Sequence, residues 1–481
     1  MSKTAPSKTM GMMMLEHTPI RLPGAIANPT TFEFPMAYKT VPGAWTKNVV
    51  GADMSILESY KATARALEAE GVAALTSNCG FTGRFQKAIA GAVGVPVATS
   101  SLSLVPFVRG LLPPGKKIGL LTYDAKALGE VHFNGAGWST KDTPVVVAGI
   151  EGSESWSEMA KPDPKFTVAM LERDVGIAAR KLIAQNPDIA ILVLECSAFP
   201  VAAAAVRRET GLPVFDFSTL ARLVMGAVLP RQARVKGQIA EAPGGGDWGT
   251  LGILRLMHGP VDVPGSCTDP TSYPYRPNFL QVPGAWTDNV TRGDTSVEGG
   301  YVSCAKDLVR QGCRAIVTTC GFTSIFQASV SAAVPVPVAM SSLLFVPFVE
   351  RLLPAGSKIG LLTYDSTRLT DKQCRAAGFS LDEAPVIADG IQGTESWRQM
   401  AAPVPKLDMD MLCRDVIAAA DRVRAKDPNV RAFVFECAAF PSASDAVRAH
   451  TGLPVFDMPL LSDAVMWSVA QVRAQARAAA E

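Results

Sequence analysis

Two cysteine-bearing stretches occur twice each in this chain. Cys79 stands in Thr76-Ser77-Asn78-Cys79-Gly80-Phe81, and Cys320 in Thr318-Thr319-Cys320-Gly321-Phe322. Cys196 stands in Leu194-Glu195-Cys196-Ser197-Ala198-Phe199-Pro200, and Cys437 in Phe435-Glu436-Cys437-Ala438-Ala439-Phe440-Pro441. Both pairs are offset by 241 positions (320 − 79 and 437 − 196), and the two thiols of each copy are 117 apart (196 − 79 and 437 − 320). A thiol at the start of a helix feels the positive end of the dipole, which is expected to lower its pKa toward thiolate. Two such thiols facing one cleft from opposite sides suit proton transfer at carbon: one abstracts while the other donates on the opposite face. The other five cysteines (Cys267, Cys304, Cys313, Cys374 and Cys413) all lie in the second copy without counterparts in the first, and read as packing residues.

Small polar residues surround the thiols. In the first copy they are Ser77, Asn78, Gly80, Ser100, Ser101, Thr122, Tyr123 and Ser197; in the second, Thr318, Thr319, Gly321, Ser341, Ser342, Thr363 and Tyr364. Hydroxyls and backbone amides of such turns can cradle a carboxylate or a developing enediolate. The same residue types also cap helices and form turns. Asp124 and Asp365 read as turn residues, and the equivalent His17 and His258 as either substrate contacts or loop packing.

The elements that must position these groups follow from apolar runs. Strands are expected at Met12–Leu15, Val72–Thr76, Val95–Thr99, Lys117–Leu121, Val145–Ile150, Ile189–Leu194 and Pro213–Asp216. Helices are expected at Ser55–Glu70, Thr82–Val93, Thr167–Gln185 and Val201–Thr210. Near-continuous apolar strands separated by helices indicate an α/β fold with parallel sheets covered on both faces. In such sheets ligands bind beyond the carboxyl ends of the strands, where both cysteines of a copy fall. The 241-residue offset recurs at Val41-Pro42-Gly43-Ala44-Trp45 and Val282-Pro283-Gly284-Ala285-Trp286, and at Gly211–Asp216 and Gly452–Asp457. It is too long for a solenoid and indicates tandem copies of a whole domain. The expected organisation is copy 1 over 1–229, a glycine-rich linker over 230–249, and copy 2 over 250–481.

A length of 481 residues requires more than one core. A net charge of +2 gives no footing for a nucleic-acid or membrane-surface partner. The opening residues do not follow a signal-peptide pattern and no apolar run reaches membrane-spanning length, so the cytoplasm is the expected compartment and reduced thiols the expected state. The four histidines show no metal-ligand spacing, so no metal is expected. No phosphate-binding loop or dinucleotide fingerprint is present, and no lysine in the repeated motifs suggests a Schiff base. A cofactor-independent thiol mechanism is what these absences leave, and the small hydroxyls of the motifs suit a small-molecule carboxylate held by neutral donors.

The paired T-x-x-C-G-F and L-E-C-x-x-x-P stretches, separated by a serine motif and Leu121-Thr122-Tyr123, resemble the aspartate/glutamate/hydantoin racemase superfamily. The resemblance runs from Gly11 to about Ala227 and from Gly252 to about Val469. It implies two Rossmann-like half-domains in each copy, related by a pseudo-twofold, with the active site in the cleft between them. It also implies that Cys79 with Cys196, and Cys320 with Cys437, are acid/base pairs, and that Tyr123 helps hold a carboxylate. Further detail resembles the algal dimethylsulfoniopropionate (DMSP) lyase branch: Cys79-Gly80-Phe81 with Phe85-Gln86, Ser100-Ser101-Leu102, Leu194-Glu195-Cys196 and Thr210–Asp216. The tandem fusion departs from the pattern of both. The leading expectation is a racemase or epimerase acting at the carbon α to a carboxylate; the alternative is β-elimination from DMSP, and a third reading is a non-catalytic binding protein. Because relatives commonly pair, the two copies are expected to form an internal pseudo-dimer, with further homo-oligomerisation an open extension.

Overall fold

The computed structural model describes residues 9–231, 246–259, 261 and 263–472. In the first copy the strands are β1 (Met10–Met14), β2 (Met36–Thr40), β3 (Ala74–Ser77), β4 (Val97–Ala98), β5 (Lys117–Thr122), β6 (Val145–Gly149), β7 (Ile189–Leu194) and β8 (Val214–Phe215). They form two all-parallel sheets of identical order, β2-β1-β3-β4 and β6-β5-β7-β8. The second copy repeats both orders with strands at Thr250–Arg255, Arg276–Gln281, Cys313–Thr318 and Val338–Ala339, then Lys358–Thr363, Val386–Gly390, Val430–Phe435 and Val455–Phe456. The fold is therefore tandem α/β, with two half-domains per copy.

Local chemistry explains the repeated motifs. Helix Leu57–Ala69 buries Tyr60, Thr63, Ala64 and Leu67, the one-face spacing that packs it on β1. In Gly211–Asp216, Gly211 ends helix Ala203–Thr210 at φ 69°, a left-handed conformation suited to glycine. Val214–Phe215 then supplies the short strand, and Asp216 accepts a hydrogen bond from the Thr219 amide to start helix Phe217–Val228. Gly452 (φ 71°) and Asp457 do the same in the second copy.

Two expectations change. Strand β2 is not among the strands the apolar runs predict, because Met36-Ala37-Tyr38-Lys39-Thr40 is a half-buried edge strand without such a run. The helix expected at Thr82–Val93 opens as a 3₁₀ turn, Gly80–Phe85, with α-helix only at Gln86–Ala90. The apolar stripe of Phe81, Phe85, Ile89 and Val93 is nonetheless buried as its spacing predicts. Of the expected linker 230–249, residues 232–245 lie outside the described residues; Gly246–Asp247 pairs antiparallel with Gln471–Val472. Among the described residues no helix is long and apolar enough to cross a membrane.

The copies touch across related surfaces. The Phe107 and Phe345 rings stack at 5.3 Å. Gln86 Nε2 donates to Arg351 O at 2.9 Å, and Arg351 Nη2 to Gly137 O at 3.0 Å. Arg448, buried, donates through Nε to Ala227 O at 2.8 Å, satisfying a carbonyl near the end of helix Phe217–Val228. Replacing Arg448 with alanine is expected to destabilise the protein by about 2–3 kcal/mol, because a buried carbonyl loses a charged donor. Urea unfolding measures this, with the exposed Arg180→Ala variant expected to change stability by under about 1 kcal/mol.

Candidate active site

Both thiols of each copy reach the same cleft. The first cleft holds about 630 Å³ of space continuous with solvent and is lined by Cys79, Cys196, Asn78, Gly80, Tyr123 and Ser197 together with Leu15, His17, Ile26, Phe81 and Met159. The second holds about 530 Å³ and is lined by Cys320, Cys437, Thr319 and Tyr364 with His258, Thr268, Thr291, Phe322 and Met400. Cys79 follows β3 and Cys196 follows β7, the third strands of the two half-domains in sheet order, so the thiols face each other by the internal symmetry.

Several expected cradle residues are turned away from the cleft. Ser77 Oγ donates to Thr99 O at 2.6 Å, and Ser101 Oγ to Leu194 O at 2.7 Å. Ser100 accepts from the Leu102 amide at 3.2 Å as a helix cap. Thr318, Ser341 and Ser342 are likewise buried in the second copy, Ser341 capping Leu343 and Ser342 donating to Phe435 O at 2.5 Å. These hydroxyls bond the backbone at strand ends and helix starts, so they build the frame. Thr122 and Thr363 are also buried, and each points to a glutamate described next.

Glu195 and Glu436, present in the motifs but not anticipated as site residues, occupy the centre of this frame. Glu195 is 0 % and Glu436 1 % exposed. Thr122 Oγ1 donates to Glu195 Oε2 at 2.7 Å, and Thr363 Oγ1 to Glu436 Oε2 at 2.7 Å. Glu195 Oε1 is buried with no hydrogen-bond partner. A Cβ on Gly80 would sit 2.0 Å from Glu195 Oε1 and 2.2 Å from Glu195 O, which is why this position is glycine. Gly321 meets Glu436 O and Oε1 at 2.6 Å in the same way. The signal that could have found these residues was the identical placement of a carboxylate before each second cysteine.

The electrostatics reverse one expectation. Burial pushes the Cys79 thiol up to about 12, and the charge of Glu195 adds to that; the Phe81 and Thr82 amides oppose it. Cys196, Cys320 and Cys437 are raised by burial first and then by the adjacent glutamate. The expected dipole effect loses because the segments that follow are short 3₁₀ turns, Gly80–Phe85 and Phe199–Ala202, with few aligned peptides. Burial also raises Glu195 and Glu436, each to about 7, against the donors from Thr122 and Thr363. Tyr123 stacks on Trp156 at 6.0 Å and Tyr364 on Trp397 at 5.8 Å, which fixes both phenols at the cleft wall. His17 and His258 line the clefts, each with Nδ1 against a neighbouring backbone carbonyl.

The two clefts differ in detail. Ser197 Oγ donates to Asn78 O at 2.5 Å, and Asn78 Oδ1 accepts from the Leu15 amide at 2.8 Å. Their counterparts are Ala438 and Thr319, and Thr319 Oγ1 is buried without a partner. Thr291 in the second cleft accepts from Arg368 at 2.6 Å, where the first copy has Val50 and Ala127. Among the described residues no group of three or more His, Cys, Asp or Glu is placed to hold a metal ion.

Comparison with known proteins gave no matching family model. A dimethylsulfoniopropionate lyase of Durusdinium sp. clade D is 30% identical over 220 residues, covering 43% of this chain and 71% of that protein. Dimethylsulfoniopropionate lyase 5 of Emiliania huxleyi is 24% identical over 484 residues, covering 92% of this chain and 95% of its own length. That alignment spans both copies, so the tandem arrangement is not the departure expected from the sequence. Among solved structures, unliganded arylmalonate decarboxylase matches 47% of this chain and 96% of its own, with 18% identity and a TM-score of 0.32.

The buried glutamates tie stability to pH. Their folded pKa of about 7 lies above the ordinary 4.5, so the folded state holds protons that the unfolded chain releases. Their contribution is full below pH 4.5 and is lost as pH rises toward 7, by an amount of the order of 3 kcal/mol for each carboxyl. Chemical denaturation across that range is expected to show this decline in the wild type and a flatter profile in a Glu195→Gln/Glu436→Gln variant.

Proposed function

The chain belongs to the dimethylsulfoniopropionate lyase family, and from that premise we propose that each copy is a cofactor-independent carbon–sulfur lyase using its cysteine pair. In the proposed reaction one thiolate takes the proton from the carbon α to the DMSP carboxylate. A carbon–carbon double bond forms, and the carbon–sulfur bond breaks with its electron pair going to sulfur. The products are acrylate and dimethyl sulfide, and the proton on the thiol returns to solvent.

The observation that carries this reading is the pair of motif cysteines lining one cleft in each copy of a chain with lyase relatives. The character of the cleft supports it. No lysine or arginine is among the described residues lining either cleft, which suits a zwitterion without net charge. Phe81 and Tyr123 bring aromatic rings to the cleft lining, which suits a sulfonium group. Backbone amides at the two turns, from Phe81 and Thr82 at Cys79 and from Ala198 and Phe199 at Cys196, bond to the thiols and favour their ionised form.

Racemisation stays as the second reading because two thiols, not one, line each cleft. It requires the second thiol to return a proton to the opposite face, whereas elimination does not. Headspace dimethyl sulfide from DMSP is therefore the deciding measurement. Substituting serine at Cys79 with Cys320, or at Cys196 with Cys437, is expected to give unequal losses: one double variant falls by about 100-fold or more and the other keeps measurable turnover. No dimethyl sulfide from the wild type, with deuterium entering the α-carbon of an amino acid in deuterium oxide, would overturn the lyase reading in favour of racemisation.

A further inference from the structure

The glutamate before each second cysteine has no role in the reaction as written, yet it occupies the most constrained position in the site. Glu195 is enclosed by Thr122 and Tyr123 from the end of β5, by Gly80 from the turn after β3, and by its neighbour Cys196. The titratable groups facing it are Cys79, Cys196 and, across the cleft wall, the Tyr123 phenol; His17 lines the same cleft. No cation acts on it, and one of its oxygens is buried without a partner. Glu436 is enclosed in the same way by Thr363, Tyr364, Gly321 and Phe322, and faces Cys320, Cys437 and Cys374. An ionised carboxylate so placed would have no counter-ion among its neighbours, while a neutral acid keeps the threonine hydrogen bond without that cost.

We propose that Glu195 and Glu436 act in their protonated form as charge gates, a thiol of the adjacent pair ionising more easily while the carboxyl beside it is neutral. The carboxyl does not touch substrate in this account; it sets the charge against which the thiol must lose its proton. The relevant species, thiolate beside neutral acid, carries the same total charge as thiol beside carboxylate. Its population therefore climbs with pH only until the glutamate itself begins to ionise, near pH 7, and then levels off. The gate bears on turnover only through the lyase reading, in which a thiolate is the base, but it is a property of the resting protein and can be measured without turnover.

The test is the pH dependence of iodoacetamide alkylation at Cys79, Cys196, Cys320 and Cys437, read site by site by mass spectrometry on the full chain. Wild-type rates are expected to level off above about pH 7, while those of Glu195→Gln/Glu436→Gln continue to rise, matching the wild type near pH 6 and exceeding it about tenfold or more at pH 9. Thr122→Val with Thr363→Val, which removes the donor that favours the carboxylate, is expected to move the levelling point to higher pH, and serves as a second variant should the glutamine variant fold poorly. Equal wild-type and glutamine profiles, or an unmoved levelling point in the valine variant, would overturn the gate. A shifted alkylation profile in a protein that releases no dimethyl sulfide would uphold the gate while rejecting the lyase reading.

Discussion

Where Gly80 passes over Glu195 there is room for a hydrogen atom and nothing larger, and this one close approach sets the geometry of everything near it. It brings the backbone after β3 against the main chain and the carboxyl of Glu195 after β7, where the two half-domains meet. The two thiols lie one residue to either side of that contact, Cys79 before Gly80 and Cys196 after Glu195. Their mutual placement is thus inherited from the crossing. Ser197 and Ser101 reinforce it from both sides by donating to Asn78 O and Leu194 O. A fixed separation between two proton-transfer groups is what positioning at a single carbon requires.

The thiols themselves were readable from the sequence because duplication acted as an internal control: two of nine cysteines fall in the first copy, and both are repeated at the same offset. The parallel sheets were readable for a different reason. Central strands such as Ile189–Leu194 are apolar at almost every position, since helices cover both faces. Edge strand Met36–Thr40 carries no such signature. The serine and threonine residues around the thiols were correctly placed at strand ends, but a hydroxyl donates to whatever carbonyl is near, and Ser77, Ser100 and Ser101 found backbone before they found the cleft. Glu195 carries no signal of burial in the sequence, since a glutamate at a strand end usually points to solvent; the contact with Gly80 shows that it points inward.

Duplication has preserved the frame and loosened the lining. Thr122 and Thr363, Gly80 and Gly321, Glu195 and Glu436 keep the same contacts in both copies. The wall residues do not: Ser197 donates to Asn78 O, whereas Ala438 has no hydroxyl to make that bond and Thr319 Oγ1 is buried without a partner. Arg368 brings a guanidinium to Thr291 that the first copy lacks. The chemistry-bearing groups are held by backbone contacts that tolerate little change, and the substrate-facing wall is made of side chains that tolerate more. That division is how one chain can hold two sites of common mechanism and distinct fit.

The bonds that cross from one copy to the other, from Arg448 to Ala227 O and from Gln86 to Arg351 O, join surfaces that belong to a single polypeptide. Dilution cannot part them. For two separate chains the occupancy of such an interface falls with concentration, but a covalent tether keeps the local concentration of each partner fixed. The pair of clefts is therefore always present in a one-to-one ratio, at any expression level and in any volume.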